Sequence, residues 1–237
     1  MLTKVTDDRP AGSDVVGLLN EKPLHAALKA WYARAGDRTE VPVDGSFIDI
    51  VHDGLLIEIQ TRGFAALKRK LEKLVTRHPV RLVYPIASEK WILRLADDGV
   101  TLLGRRKSPR RGSEYDLFRE LVSFPHLVAH PNFSLEVLLI QEEEVRRRVS
   151  RLNWRRGWDT AERRLLQVVD HRLFVSPADL AALIPKSLDV PFTTDELAET
   201  IGRPRRLAQQ MAYCLRCMGV LSDVGRQGCA VRYARAA

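Results

Sequence analysis

The chain has 237 residues, 45% of them hydrophobic, 29% charged and 7% aromatic; this excludes a mostly disordered chain and allows one large domain or two small ones, either with a sizeable core. Lysine and arginine number 38 against 30 acids, a formal charge of +8, which favours a polyanionic partner without naming one. No run reaches the roughly 18 apolar residues of a membrane span, and Cys214, Cys217 and Cys229 are too few for a disulfide framework; the acidic start MLTKVTDDRP lacks the features of a secretory signal, so a soluble, cytoplasmic protein with no membrane partner is expected.

Residues 1–17 carry no strong period and read as a tail or edge segment. Asn20 is a helix cap and Pro23 suits the first turn. Leu24, Ala27, Leu28 and Trp31 then repeat at helical spacing as far as Gly36. TEVPVDGSFIDIVHDGLLIEIQT is rich in β-branched residues and broken by two Asp-Gly pairs, of which Asp53-Gly54 is a strong hairpin signal. RGFAALKRKLEKLVTRH switches to helical spacing, with Leu67, Leu71, Leu74 and Val75 as its buried stripe. VRLVYPI reads as a strand reached by helical crossover, and KWILRLA as a further one. GRRKSPRRGS is a basic loop, residues 115–130 read as a helix despite Pro125, and SLEVLLI is a strand. The charged EEEVRRR run after it reads as a solvated face with internal ion pairs, extending the strand or beginning a linker.

From Asp159 the pattern changes. TAERRLLQVVDHRLF reads as one helix and PADLAALI as a shorter one. TTDELAETIG starts at a Thr193 or Thr194 cap and ends at Gly202. RPRRLAQQMAYCLRCMG follows as a helix with Leu207, Met211, Cys214, Leu215 and Met218 inward, then two short strands around a Gly-rich turn. The expected organisation is a tail over 1–17, an α/β domain with a mixed sheet flanked by helices over 18–150, a linker over 151–158 and a mainly helical domain over 159–237.

The informative segment is the hairpin. With Asp53-Gly54 at its turn, Asp49 falls opposite Glu58 and Phe47 opposite Gln60. Alternation puts Glu58 and Gln60 on one face, and Ile48, Ile50, Leu55, Ile57 and Ile59 on the other, which should be core. Two carboxylates side by side on a half-buried sheet repel unless something compensates. A hard divalent cation, Mg²⁺ or Mn²⁺, does so, with the Ile59 carbonyl as a further oxygen and Glu21 as an outer ligand if the first helix packs across the sheet edge. The competing reading is an ordinary hairpin whose acids meet water. His25 lies one turn beyond Glu21, while His52 points away from the carboxylate face.

FIDIVHDGLLIEIQTRG resembles the active-site core of the PD-(D/E)XK nuclease superfamily, in the style of its restriction-like and Holliday-junction-resolvase-like members. That core runs helix, three-stranded antiparallel meander, helix, strand, and residues 18–86 follow the order. The resemblance implies that Asp49 and Glu58 hold the metal, that Glu21 matches the first-helix acid, and that Gln60 stands where most members have lysine. Gln60 then orients the attacking water while Lys68 or Lys70 supplies positive charge, or the domain binds without cutting. The implied function is a metal-dependent DNA endonuclease, a hydrolase of phosphodiester bonds acting as a homodimer. The alternative is a non-catalytic DNA-binding regulator or structural partner built on a degenerate nuclease fold.

The C-terminal order of helix, turn, helix and hairpin resembles a winged helix-turn-helix domain. Its recognition helix would span 203–218, with Arg203, Arg205 and Arg206 at the DNA-entering end, Arg226 at the wing tip and Arg232 on the return strand; the same fold can serve as a protein-docking module. Arg105, Arg106, Lys107, Arg110 and Arg111 form a second basic cluster, and a third runs from Arg146 to Arg156. Cys214 and Cys217 have half of a zinc spacing but sit in an amphipathic helix, and read as small core residues. Trp154 and Trp158 read as packing at a domain junction. No Walker-type loop occurs, so no ATPase is visible.

Overall fold

The computed structural model describes residues 22–148 and 157–236. Glu21, the Asn20 cap, the 1–17 tail and most of the expected linker, with Trp154, Arg155 and Arg156, lie outside them.

Pro23 opens α1 (Pro23–Tyr32) at the position where a missing N–H costs nothing. The strands β1 (Arg38–Val43), β2 (Ser46–His52) and β3 (Leu55–Ile59) then form an antiparallel meander. Both Asp-Gly pairs have positive φ at each residue, with Asp53 at 45° and Gly54 at 83°, the conformation a two-residue hairpin requires. The register is the expected one: Ile50 faces Ile57, Val51 faces Leu56 and His52 faces Leu55. A 3-10 turn over Phe64–Leu67 leads into α2 (Lys68–Leu74), which crosses to β4 (Val80–Leu95), parallel to β3.

VRLVYPI and KWILRLA are one 16-residue strand, β4, continued through a bulge at Ser88. Pro85 is tolerated inside it because β3 has already ended. Val83 accepts the Gln60 N–H across that edge, and two residues further on no partner strand awaits the N–H that proline lacks. β5 (Leu102–Lys107) then pairs antiparallel with Trp91–Leu95. Residues 115–130 do not form one helix: a 3-10 turn over Glu114–Leu117, the short α3 (Phe118–Leu121) and a second 3-10 turn over Pro125–Ala129 replace it. Pro125 forces the break, since the residue before a proline avoids helical backbone, and Phe124 sits at φ −156°, ψ 55°.

β6 (Phe133–Arg148) runs parallel to β4 along its whole length, so the EEEVRRR run extends the strand, one of its two expected readings, but Glu142 and Glu144 are buried where a solvated face was expected. TAERRLLQVVDHRLF is not a helix but β7 (Trp158–Phe174), antiparallel to β6 in the same sheet. Three bulges, which leave Ala161, Leu166 and Val169 unpaired, break the alternation that would have marked it as a strand. Residues 159–174 therefore belong with the first sheet, and the helical part begins beyond Phe174. The order is β1-β2-β3-β4-β6-β7, with β5 on β4.

One face of this sheet packs on α1 through Leu24, Leu28, Ile50, Ile57, Ile59 and Val83. The other packs on α2 and α3 through Val51, Leu56, Leu71, Leu82 and Leu121, and Ile48 joins this side rather than that of Ile50. Both faces are thus covered, where a half-buried sheet was expected.

The second core continues without a break into α4 (Pro177–Ala181), β8 (Phe192–Thr193), α5 (Thr194–Ile201), α6 (Arg205–Cys217), β9 (Leu221–Gln227) and β10 (Ala230–Arg235). Thr193 caps α5 in a capping box with Glu196, and Gly202 ends it in the left-handed region. A three-stranded sheet β8-β10-β9 completes a winged-helix-like unit whose α6 packs on α3. Leu207, Met211, Cys214, Leu215 and Met218 are buried as expected. Cys217 and Cys229 are exposed, so the core reading holds for Cys214 alone. No helix among the described residues is long and apolar enough to cross a membrane.

Ile57 is 2% exposed beneath α1. Ile57→Asp places an unpaired charge there and should destabilise the fold by roughly 4 kcal/mol or more. Urea denaturation beside wild type measures it, and a loss under about 1 kcal/mol would contradict the assigned register.

Candidate functional site

β3 stops at Ile59 while its neighbour β4 runs on, and the chain turns out of the sheet at Gln60. At this fork the Asp49 Oδ2 accepts the Ile59 N–H at 2.7 Å and lies 3.2 Å from His25 Nε2 on α1. Glu58, two strand positions from the turn-out, is 8% exposed. Its Oε1 accepts from Lys70 Nζ at 2.6 Å, and the same ammonium donates to the Phe47 carbonyl at 2.6 Å. Glu58 Oε2 is buried with no hydrogen-bond partner.

Lys70 reaches the site because α2 is fastened at its approach. The Glu120 carboxylate accepts from both Gly63 and Phe64 N–H at 3.0 Å. Phe64 is fully buried and stacks on Phe124 with ring centroids 5.5 Å apart. Burial and the neighbouring Asp49 carboxylate push the Glu58 carboxyl up to about 7, against the pull of Lys70 and His25. Asp49 and Glu58 therefore feel each other's charge, as the hairpin register implied.

The other expected site residues fall differently. Lys68 is half exposed and pairs with Glu72 at 4.0 Å, away from both carboxylates. Gln60 turns its amide to the Arg62 carbonyl at 2.6 Å, not to the carboxylates. Ile59 is core, and the contact it makes to the site is its N–H on Asp49. Glu58 is not on a water-facing side as expected, because α2 covers it. Among the described residues no three His, Cys, Asp or Glu side chains form a metal-holding cluster. His25 and the exposed Phe47, 68% accessible beside the Lys70 contact, complete the surroundings. Sequence could find Phe47 only as an apolar residue on the polar face of β2.

The basic residues also sort themselves. Arg205 pairs with Asp195 at 2.8 Å, and half-buried Arg203 donates to the Arg111 carbonyl at 3.1 Å, tying the start of α6 to the 105–111 loop. Arg206 and Arg226 are exposed. Arg232 is not free on the wing: it donates to the Pro191 carbonyl at 2.6 Å. A groove of about 220 Å³ between α6 and β10 is lined by Arg205, Gln209, Tyr213 and Arg216, of which Gln209 and Tyr213 had drawn no functional expectation. They share the outer face of α6, which is legible once the inward stripe is fixed.

Residues 22–175 match the family described as Domain of unknown function (DUF8091). The chain belongs to the DUF8091 family. The DUF8091 match opens at the residue before α1 and closes just past β7, so it encloses the seven-stranded sheet. An uncharacterized protein of Treponema pallidum (strain Nichols) is 34% identical over 188 residues, covering 78% of this chain and 74% of that protein. No solved structure matches the chain.

The Glu58 shift sets a pH test for this DUF8091 domain. The unfolded carboxyl ionises at its ordinary value of 4.5, the folded one at about 7. Between these values the folded state holds a proton that the unfolded state releases, so stability is lost as pH rises through the window, by at most about 3 kcal/mol. In metal-free buffer the stability of Glu58→Gln relative to wild type should therefore climb between pH 4.5 and 8. Denaturant titrations across that range read the difference, and a flat one would contradict the burial cost.

Proposed function

We propose that the protein is a metal-dependent DNA endonuclease whose site is the fork of β2 and β3. One observation carries the reading: two carboxylates, Asp49 and the partly unsatisfied Glu58, converge where Lys70 arrives from the next helix. The order of α1, meander, α2 and parallel β4 supports kinship with the PD-(D/E)XK nucleases, with Lys70 taking the place of the lysine missing at Gln60.

The donor set suits a hard cation. The free Oε2 of Glu58 beside Asp49 offers oxygen ligands, and Mg²⁺ or Mn²⁺ keeps waters and takes substrate phosphate for the rest. Asp49 and Glu58 would hold it, with the Ile59 carbonyl and Glu21 as the further ligands expected from the sequence. When bound, such an ion polarises a phosphoryl oxygen and acidifies a water. The chain's own part is positional. Lys70 holds the Glu58 carboxylate in place and sets a positive charge where the phosphoryl oxygens would gather charge. The Ile59 N–H fixes the Asp49 rotamer. Gln60, bonded to Arg62, has no role at the water in this arrangement and is dropped in favour of Lys70.

DNA would be held by the outer face of α6 and the wing, through Arg206, Arg216 and Arg226. A homodimer would bring two sites to the two strands. The alternative, a non-catalytic DNA-binding protein, is favoured by the closed Glu58–Lys70 pair, which already satisfies one carboxylate oxygen.

Cleavage of supercoiled plasmid and of a branched duplex in Mg²⁺ or Mn²⁺ decides between them. Asp49→Asn should abolish cutting, and Lys70→Met should slow it on the order of 100-fold or more, while both variants keep DNA affinity. Wild type that binds DNA and cuts neither substrate would overturn the enzyme reading. Arg206→Glu with Arg216→Glu should weaken DNA binding and flatten its salt dependence by about two units of log–log slope; unchanged binding would remove α6 from the interface.

A further inference from the structure

Beyond Ser88 the sheet carries a second, separate cluster. In the register of β4, β5 and β6, Lys90, Ile92, Arg106, Glu144 and Arg146 share one face, while Trp91, Arg105, Lys107 and Glu143 share the other. The two faces differ in how their cations are engaged. On the Trp91 face, Arg105 bonds Glu143 at 2.7 Å and Lys107 bonds Glu89 at 2.6 Å. Both also lie over the indole of Trp91, at 5.3 and 5.1 Å from its centroid. Their charge is answered in place.

The opposite face lines a cleft of about 430 Å³. Lys90, Arg106, Arg110 and Arg146 surround it with a single acid, Glu144. Glu144 accepts from Lys90 at 2.9 Å and from Arg146 at 2.7 Å. Burial pushes its carboxyl up, but the hydrogen bonds from Lys90, Arg146 and Thr160 outweigh this and hold it at about 2. The acid is thus ionised throughout the physiological range; it answers Arg146 and, together with the buried Glu142 at 2.8 Å, Lys90. Arg106 and Arg110 have no acidic partner among the described residues.

The cleft is also built. Ser108, 9% exposed at its floor, donates its N–H to the Lys90 carbonyl at 2.7 Å. Its hydroxyl accepts the Arg110 N–H at 3.2 Å, leaving its own proton to give. The loop returns against β4 at Gly112, whose N–H bonds the Ala87 carbonyl at 2.9 Å. A Cβ there would come within 2.6 Å of Ile86, so only glycine permits the approach. Arg110 is held close to Arg106 by this closure, with the loop's ordering cost already met before any ligand arrives.

We infer that the cleft between β4, β5 and β6 is a phosphate-binding site, in which Arg106 and Arg110 grip the phosphate oxygens, Lys90 and Arg146 add charge behind Glu144, and the Ser108 hydroxyl donates. Guanidinium forks match phosphate oxygens in pairs, and the space suits two linked phosphates or a nucleotide. The phosphate comes either from a free nucleotide or from a nucleic-acid strand. The site uses none of the residues at the β2–β3 fork, so Asp49→Asn should leave it untouched.

The test neutralises two charges on either face of β5 and its following loop. Full-length wild type, Arg106→Gln/Arg110→Gln and Arg105→Gln/Lys107→Gln are titrated calorimetrically with inorganic pyrophosphate, with ADP and with a single-stranded 20-mer, after thermal melts establish that each is folded. The Arg106/Arg110 variant should bind at least tenfold more weakly, and the Arg105/Lys107 variant within about twofold of wild type. Loss of pyrophosphate and ADP binding identifies a free phosphate ligand; loss confined to the 20-mer identifies a strand. Equal losses in both variants would reduce the effect to net charge and overturn the site, as would wild type that binds none of the three probes.

Discussion

The structure depends on a mismatch in strand length. β4 and β6 pair in parallel for about 50 Å at ~3.3 Å per residue, while β3, at five residues, covers only about a third of that edge. Where β3 ends, the sheet must open, and the edge of β4 has to be satisfied by something else. The chain solves this in sequence: Pro85 removes one donor, Gly112 and Ser108 bring loop N–H groups to the Ala87 and Lys90 carbonyls, and β5 takes over from Trp91. The carboxylate fork and the basic cleft lie at the two ends of this gap. Neither would exist had β3 been long enough to accompany β4.

The β4–β6–β7 ribbon is held by buried charge as well as by apolar packing, alongside β3 and beyond the gap alike. Glu142 is fully buried, ion-paired with Lys90 at 2.8 Å and hydrogen-bonded by Arg163. Glu136, also buried, receives Tyr32 at 2.5 Å, Arg81 at 3.5 Å and His171 at 2.9 Å, and burial lifts the Tyr32 phenol to about 12. Such groups cost desolvation and fix register more than they add stability. With no hairpin joining the parallel β4 and β6, matching charges along them and along the antiparallel β7 specify which residue faces which. A one-residue slip would bury the wrong sign.

The first half of the fold was legible because local chemistry and burial agree there. Asp53-Gly54 fixed the hairpin register, and the register fixed the meeting of Asp49 with Glu58. Lys70 and not Lys68 reached the site for a reason absent from the local sequence: the 3-10 turn over Phe64–Leu67, pinned by Glu120 from 56 residues away, sets the phase of α2. β7 was misread because its bulges spread Leu165, Leu166, Val169 and Leu173 at spacings near three and four, which imitate a helix. The buried glutamates of β6 were hidden by the same logic. An acidic run reads as solvent-facing unless its cationic partners on other strands are known, and Lys90 and Arg163 are 54 and 21 residues removed from Glu144 and Glu142.

The bulges of β7 have a further consequence for the protein in a crowded solution. An open sheet of this size invites another chain to add a strand and so to begin a growing stack. β7 offers an interrupted ladder, its backbone skipping a partner at Ala161, Leu166 and Val169. At the far side β1 carries Pro42 and a left-handed Glu40 at φ 52°, and β5 presents Arg105-Arg106-Lys107 after Gly104. Each border is thereby a poor template for lateral growth. The long central strands β4 and β6 stay extended behind borders that discourage strand addition.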